Sequence, residues 1–452
     1  MFDTALGEAT LVYGYRRYEQ SLSADGDFSD LVAPGTTADV RTPGNKEELS
    51  THYAEARVAK DDGGRLRYVL GVNFYRETFE SASAVRIVDT GPASPFGCAI
   101  AQFNPAANTF AFIPLALAFP GFPALPNCAD ANSARNKQTT EAIAAYADLG
   151  FDLTPTFDVN LGVRVTQEDK TFAFRQTSGP ILGLFLPSAN VNGDSQETNV
   201  SPSASARWRP NDRVMVYGRV NTGFRGGGFN PSLLSGGHLP YGQEQFVNFE
   251  LGGRWSSESG RLVAGVTGFQ LDQDDLVVST IAFNPVTRAP SGVFLANAGE
   301  ARTRGLELDL QGRLADNLTI LGGISLLDAE FTGGSNAGTP LKGVALPSVP
   351  ETSGALSLIY APRWGQVSGE FAVSYRFRRG GKDSIQFAQP LSEFDVIDAS
   401  AGFGFDRVKL VVFVSNATDE VYNFGQGFGV NGVPLRYESA GRSGGVRLEV
   451  RY

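Results

Sequence analysis

Histidine, methionine and cysteine are nearly missing from this sequence, with two of each in 452 residues. So few imidazole and sulfur donors leave little from which to build a metal-rich or redox-rich centre. His52 and His238 have no HExxH pattern or cysteine partner, so neither a zinc site nor a nucleophile–histidine–acid set can be assembled. No enzyme activity and no cofactor are expected. An excess of positive charge is missing too: 38 Lys and Arg against 48 Asp and Glu give a net charge of −10. That balance argues against nucleic acid, or an anionic membrane surface, as a partner of the whole chain. Nothing approaches the roughly 18 apolar residues of a membrane-spanning helix. The most apolar run, FAFIPLALAFPGFPAL from Phe110, is interrupted by three prolines and reads as a loop. The opening stretch MFDTALGEATLVYGYRRY shows no basic region, apolar core or small-residue cleavage site, so no secretory leader is read there. The chain is expected to be incomplete at its N-terminus.

What is abundant is glycine (53), phenylalanine (32) and tyrosine (14), as a large β-structure with many turns requires. The closing stretch GVRLEVRY sets the pattern. Val446, Leu448, Val450 and Tyr452 alternate with Arg447, Glu449 and Arg451, so a strand here has one apolar and one charged face. FDVNLGVRVT repeats it, with Phe157, Val159, Leu161, Val163 and Val165 against Asp158, Asn160, Arg164 and Thr166. So does FVNFELGGRW, with Val247, Phe249, Leu251 and Trp255 against Asn248, Glu250 and Arg254. VSGEFAVSYRFRR sets Val367, Phe371, Val373, Tyr375 and Phe377 against Ser368, Glu370, Ser374, Arg376 and Arg378. KLVVFVSN, from Lys409, is apolar on both faces and fits less well. The reading gives about sixteen strands of about 10–15 residues, against the 5–6 usual in soluble sheets and the 9–11 that cross a bilayer.

Short links near Thr154, Arg209, Ser256, Leu314, Pro362 and Phe405 alternate with long ones. The long ones cover about 19–46, 81–138, 176–194, 226–242, 280–298, 332–350, 380–392 and 419–441. Outer-membrane barrels sort their connections this way, with short periplasmic turns and long extracellular loops. The fold class is therefore all-β: a transmembrane, antiparallel, up-and-down β-barrel over 1–452, its apolar face in lipid and its charged face on a wet lumen. Arg164, Arg219, Glu250, Arg254, Asp272, Glu307, Asp309, Glu370, Arg376 and Arg447 are expected on the lumen side. Arg219, Arg225, Glu250, Arg254, Asp272, Glu307 and Arg376 are the candidate lumen-facing or substrate-contacting residues, with ladders inside the wall as the alternative. The long loop with Phe96, Phe103, Phe110, Phe112, Phe119 and Phe122 could instead capture a substrate, or pack on its neighbours. It also holds Cys98 and Cys128, a candidate disulfide in an oxidising compartment or else two inert thiols. The glycines Gly226, Gly227 and Gly228 lead into Asn230-Pro231 rather than a helix start, so they read as a flexible extracellular loop, not a phosphate cradle. Asp25, Asp27 and Asp30 in DGDFSD read as a solvated acidic loop before a cation site.

Three segments carry a resemblance. VYGRVNTGFRGGGFNPS from Val216, ANAGEARTRGLELDLQGRL from Ala296 and VVFVSNATDEVYN from Val411 resemble, in that order, barrel signatures of the TonB-dependent outer-membrane receptors. The terminal Tyr452 is similar to the aromatic residue that the outer-membrane assembly machinery reads. The resemblance implies a location in the outer membrane of a Gram-negative bacterium and contact with membrane lipid. It implies a monomer that takes up a bulky nutrient, an iron–siderophore complex by the family's base rate. TonB would be a partner of the full-length parent only. Family barrels have twenty-two strands preceded by a plug and a TonB box; here about sixteen strands are read, with neither plug nor box. A passive porin-like channel, or a non-functional truncated remnant, is the alternative. With six strands fewer, an open or strained seam is expected between the first and last strands.

Overall fold

The computed structural model describes residues 2–450 apart from 5, 26–37, 90–98, 105–108, 115–131, 178, 182–183, 187, 231–239, 284–289, 337, 384, 386–388 and 429–433. Among the described residues, sixteen strands of eight residues or more form one antiparallel wall. They are β1 (Gly7–Asp25), β2 (Ala38–Lys60), β3 (Leu66–Asp89), β4 (Asn132–Thr154), β5 (Phe157–Gln176), β6 (Ala189–Asn211), β7 (Val214–Arg225) and β8 (Glu244–Ser256). The second half is β9 (Leu262–Phe283), β10 (Pro290–Ala315), β11 (Leu318–Asn336), β12 (Thr352–Tyr360), β13 (Val367–Arg379), β14 (Phe394–Phe405), β15 (Val408–Ser415) and β16 (Ser443–Val450). Each pairs with the next in sequence. Among the described residues no ladder joins β16 to β1, and the free edge of β1 carries only the short strand Phe2–Thr4.

The wall has two chemically different faces, and the register shows which residues share each. Leu11, Tyr13, Leu70, Val72, Leu161, Val163, Phe249, Leu251, Leu306, Leu308, Leu410, Val412, Val446 and Leu448 share one face and are 40–69% exposed. Apolar side chains left open to this extent on strand after strand form a belt that a soluble protein would have to cover. Val373 and Tyr375 lie on that face, while Glu250, Arg254, Glu370 and Arg376 point the other way. The terminal strand follows the rule: Val446, Leu448 and Val450 face out with Val412, Leu410 and Val408, and Arg447 and Glu449 face in. All three tryptophans, Trp208, Trp255 and Trp364, sit on the outer face beside the short turns, about half exposed. An aromatic rim at one end of an apolar belt is what an interface with lipid headgroups favours.

Short turns close one end of the wall, and local hydrogen bonds explain them. Asn211 accepts from the backbone N–H groups of Arg213 and Val214 at 2.9 and 3.0 Å, an Asx turn between β6 and β7. Asp62 does the same for Gly64 between β2 and β3, which holds its carboxyl below the usual aspartate range. The other end departs from expectation. Strands run to 23, 24 and 26 residues in β2, β3 and β10, far past the expected 10–15, so much of the expected loop sequence is ladder. Beyond the lipid both faces meet water, so the apolar/polar alternation fades although the backbone pairing continues. The apparently two-faced strand β15 resolves too: its inward Val411 is buried and its inward Phe413 lies over Gly445.

Candidate functional site

The inner face is the candidate site, and tyrosine–carboxylate–arginine clusters organise its middle. On β2, β4 and β5, the Tyr146 hydroxyl donates to Glu55 at 2.9 Å and Tyr53 donates to the same carboxylate. Arg164 reaches Asn73 at 3.2 Å and lies over the Tyr146 ring. On β7 and β8, Glu250 accepts from Tyr217 at 2.6 Å and from Arg219 at 2.7 Å. Nearer the short turns, buried Asp158 takes Arg207 at 3.0 Å and Arg209 at 2.9 Å. In the last strands Arg376 meets Asp398, and Lys409 meets Glu370, each at 3.0 Å. Charges on this face thus largely satisfy one another, as the wall-ladder alternative requires.

At the far end from the short turns, chain segments fold over this face. The glycine run is not a flexible loop: Gly227, Gly228, Phe229 and Asn230 are buried. Lys170 donates to the Gly227 carbonyl at 2.5 Å, Glu197 accepts from the Gly227 N–H, and Phe229 stacks 5.0 Å from Phe172. A Cβ on Gly227 would stand 2.3 Å from the Tyr241 carbonyl oxygen, so only glycine fits this crossing. Asn230 both donates to and accepts from the Leu295 backbone at 2.7 Å. Asn297 accepts from the Gly242 N–H and donates to the Gly242 and Asp275 carbonyls. Beside it, Leu341 and Leu346 pack on Phe331, Val278 and Ala301.

Of the expected lumen residues, the register brings Arg219, Arg225, Glu250 and Arg254 onto the inner face of β7 and β8: Arg219 pairs with Glu250 mid-strand, while Arg225 lies at the far end and Arg254 beside the short turns. Glu307 lies inward beside Thr267 and Ser325, and Arg376 inward beside Ala355 and Val396. Asp272 is a correction. It pairs across the ladder with Val247 and Arg302, on the outer face, where it takes Arg302 at 2.6 Å. In LDQD the wall has already left the apolar belt, and a polar side chain there no longer marks the lumen. Missed altogether were Tyr53, Tyr146 and Tyr217, because tyrosine counts as apolar in an alternation pattern, and Glu244, which is 2% exposed and holds Arg225 at 2.8 Å. His52 is an outer-face residue, 3.1 Å from the Tyr13 hydroxyl. Cys98, Cys128, His238, Tyr452, Asp27, Asp30, Phe96, Phe119 and Phe122 lie outside the described residues, and Phe103, Phe110 and Phe112 belong to a small hairpin, Ala99–Asn104 with Thr109–Pro114.

The profile of the TonB dependent receptor-like β-barrel family matches residues 2–417. The chain belongs to the TonB-dependent receptors. It is 28% identical over 291 residues to the pesticin receptor of Yersinia pestis, covering 63% of this chain and 40% of that one. It is 28% identical over 309 residues to the metal-pseudopaline receptor CntO of Pseudomonas aeruginosa, covering 64% and 38%. This TonB-dependent receptor chain therefore spans about two fifths of the curated relatives it matches. Its fold is that of the ferric yersiniabactin uptake receptor FyuA from Yersinia pestis, with a TM-score of 0.72 at 19% identity over 98% of this chain and 58% of that one. The family is one of receptors, not enzymes, and its relatives are receptors for siderophores, pesticin and metal complexes.

Proposed function

We propose that this chain is the wall of an outer-membrane receptor that takes up a bulky ferric siderophore, energised through TonB in the full-length protein. The observation that carries the reading is the pairing of a lipid-ready outer belt with a charged inner face that chain segments roof at one end. A passive channel needs an unobstructed lumen; segments packed inward suit capture of one ligand at the mouth. The apolar belt supports a location in the outer membrane of a Gram-negative bacterium, in contact with lipid. Insertion through the assembly machinery by its last strand, and a monomeric state, follow the same reading. Within the mouth, Arg225 is the candidate substrate contact: its side chain is 60% exposed while Glu244 fixes it from below. An anionic iron chelate would gain charge-assisted hydrogen bonds there. The test is uptake of radiolabelled ferric siderophores by receptor-deficient cells carrying the full-length gene. Uptake that stops without TonB and drops about tenfold with Arg225→Ala supports the reading. Uptake indifferent to TonB would make the protein a passive channel.

A further inference from the structure

The outer face carries a second feature, well above the apolar belt. Arg135 on β4 and Arg175 on β5 are directly paired across the ladder, and Lys46 on β2 lies in the same row through Ala82. All three are exposed. The neighbouring inward positions Ala134, Phe174 and Gln176 are buried, which fixes the outward direction of the arginines. Like charges directly opposite each other destabilise a sheet unless something stands between them. Nearby carboxylates are engaged elsewhere: Glu48 takes Arg17 at 2.9 Å and Glu80 takes Lys137 at 2.6 Å. Among the described residues no ion pair reaches Lys46, Arg135 or Arg175. Lys46, Arg135, Arg175 and Lys137, with Glu48 and Glu80, border a cavity of about 380 Å³. In a chain of net charge −10, that is a local inversion of sign.

We infer that this patch binds the anionic sugar headgroup of an outer-leaflet glycolipid. The inference rests on the belt lying in lipid. Height selects the partner. Ile143 is the last exposed apolar residue of β4 on this face, and Arg135 lies eight residues beyond it. At ~3.3 Å per residue that is ~26 Å along the strand, or ~20 Å along the membrane normal at a tilt of ~40°. The headgroup layer of an ordinary phospholipid extends only ~5–8 Å beyond the hydrocarbon, too low to reach the arginines. A lipid whose phosphates and acid groups are carried on stacked sugars reaches that height. It would place an anion between the two guanidinium groups, which offer planar paired donors suited to phosphate.

The test uses the full chain in phosphatidylcholine nanodiscs, titrated with phosphorylated lipopolysaccharide, with the same material after phosphatase treatment, with phosphatidylglycerol vesicles and with inorganic phosphate. The expected result is saturable binding of the phosphorylated lipopolysaccharide, weakened about tenfold or more by Arg135→Gln with Arg175→Gln and by dephosphorylation. Lys46→Gln, which leaves the arginine pair in place, should weaken it less. Equal binding by the parent and the double variant overturns the proposal. So does equally tight binding of phosphatidylglycerol or inorganic phosphate. If the chain enters no nanodisc at all, the lipid-facing belt fails and takes this proposal with it; insertion without glycolipid binding sinks the proposal alone.

Discussion

Hairpins end in two different ways at the end of the wall away from the short turns. Between β1 and β6, and between β9 and β10, paired strands of 19 to 26 residues run on far past the apolar belt. Between β7 and β8, and from β12 onward, strands of 8 to 13 residues stop early. Where they stop, the connecting chain bends back and packs on the wall. The difference lies in what each connection can satisfy. A tall ladder meets its backbone hydrogen bonds internally and needs no special residues. A folded-in segment must find partners one by one, and it uses glycine, asparagine and aspartate to do so. Gly380 and Gly381 take positive φ at the top of β13, and Asn416 and Asp419 do so after β15. Asn416, buried, donates to the carbonyls of Glu420 and Ala440 and accepts from the Glu420 N–H.

The largest test of this contrast is Phe331→Ala. Phe331 is 1% exposed at the centre of the cluster that anchors 339–350. Its loss should cost about 3–5 kcal/mol and release that segment to proteolysis, while the tall hairpins stay protected. Uniform loosening would erase the distinction. Phe249→Arg tests the belt that both kinds of hairpin share. It should cost about 2–4 kcal/mol by denaturant unfolding in bilayers if Phe249 lies near the midplane, and an unchanged midpoint would place that face in water. Gly227→Ala should cost about 1–3 kcal/mol through overpacking against Tyr241, and hydrogen exchange should rise around Phe229 first.

The smallest effect is on pH. Asp419 accepts from the Arg442 N–H at 2.8 Å and pairs with its guanidinium at 3.2 Å, which holds its carboxyl below the usual aspartate range. A lowered folded-state pKa means that this tether is complete above the ordinary aspartate value of about 3.9 and fades as the pH falls through the lower folded value. Hydrogen exchange at the neck formed by Asp419 and Arg442 should therefore match Asp419→Asn below that window and be slower than the variant above it. Identical exchange at neutral pH would remove the tether from the account.

The belt was legible in the sequence because lipid on one side and water on the other force a period of two; Phe157–Val165 and Val446–Val450 are the clearest cases. Sixteen strands, the short turns and the inward places of Glu250, Arg254 and Arg376 followed from it. The pattern lost its meaning where the lipid ends. Asp272 and the ladder past it were misplaced for that reason, as was the extent of β2, β3 and β10. The mouth was illegible for another reason: Phe229 reaches Phe172 across 57 residues of chain, and no local pattern encodes a long-range landing. The glycine run did carry a signal, since three successive residues without Cβ permit a close crossing as well as a flexible one.

The ladder irregularities have a consequence for how such a chain can change. Extra residues shift the register at Leu22/Ala24, Arg41/Lys46, Gln273/Leu276 and Glu300/Ala301 towards the tall ends, and at Asp152/Thr154, Trp208/Asn211 and Arg313/Ala315 beside the short turns. Between those margins the described ladders run without a slip. One residue inserted inside the belt would send every side chain beyond it to the opposite face, arginines into hydrocarbon and leucines into the lumen. The same insertion a few residues further along would go unnoticed. Length variation among descendants of this sequence should therefore collect at both rims, and odd-numbered insertions should be purged from the zone between.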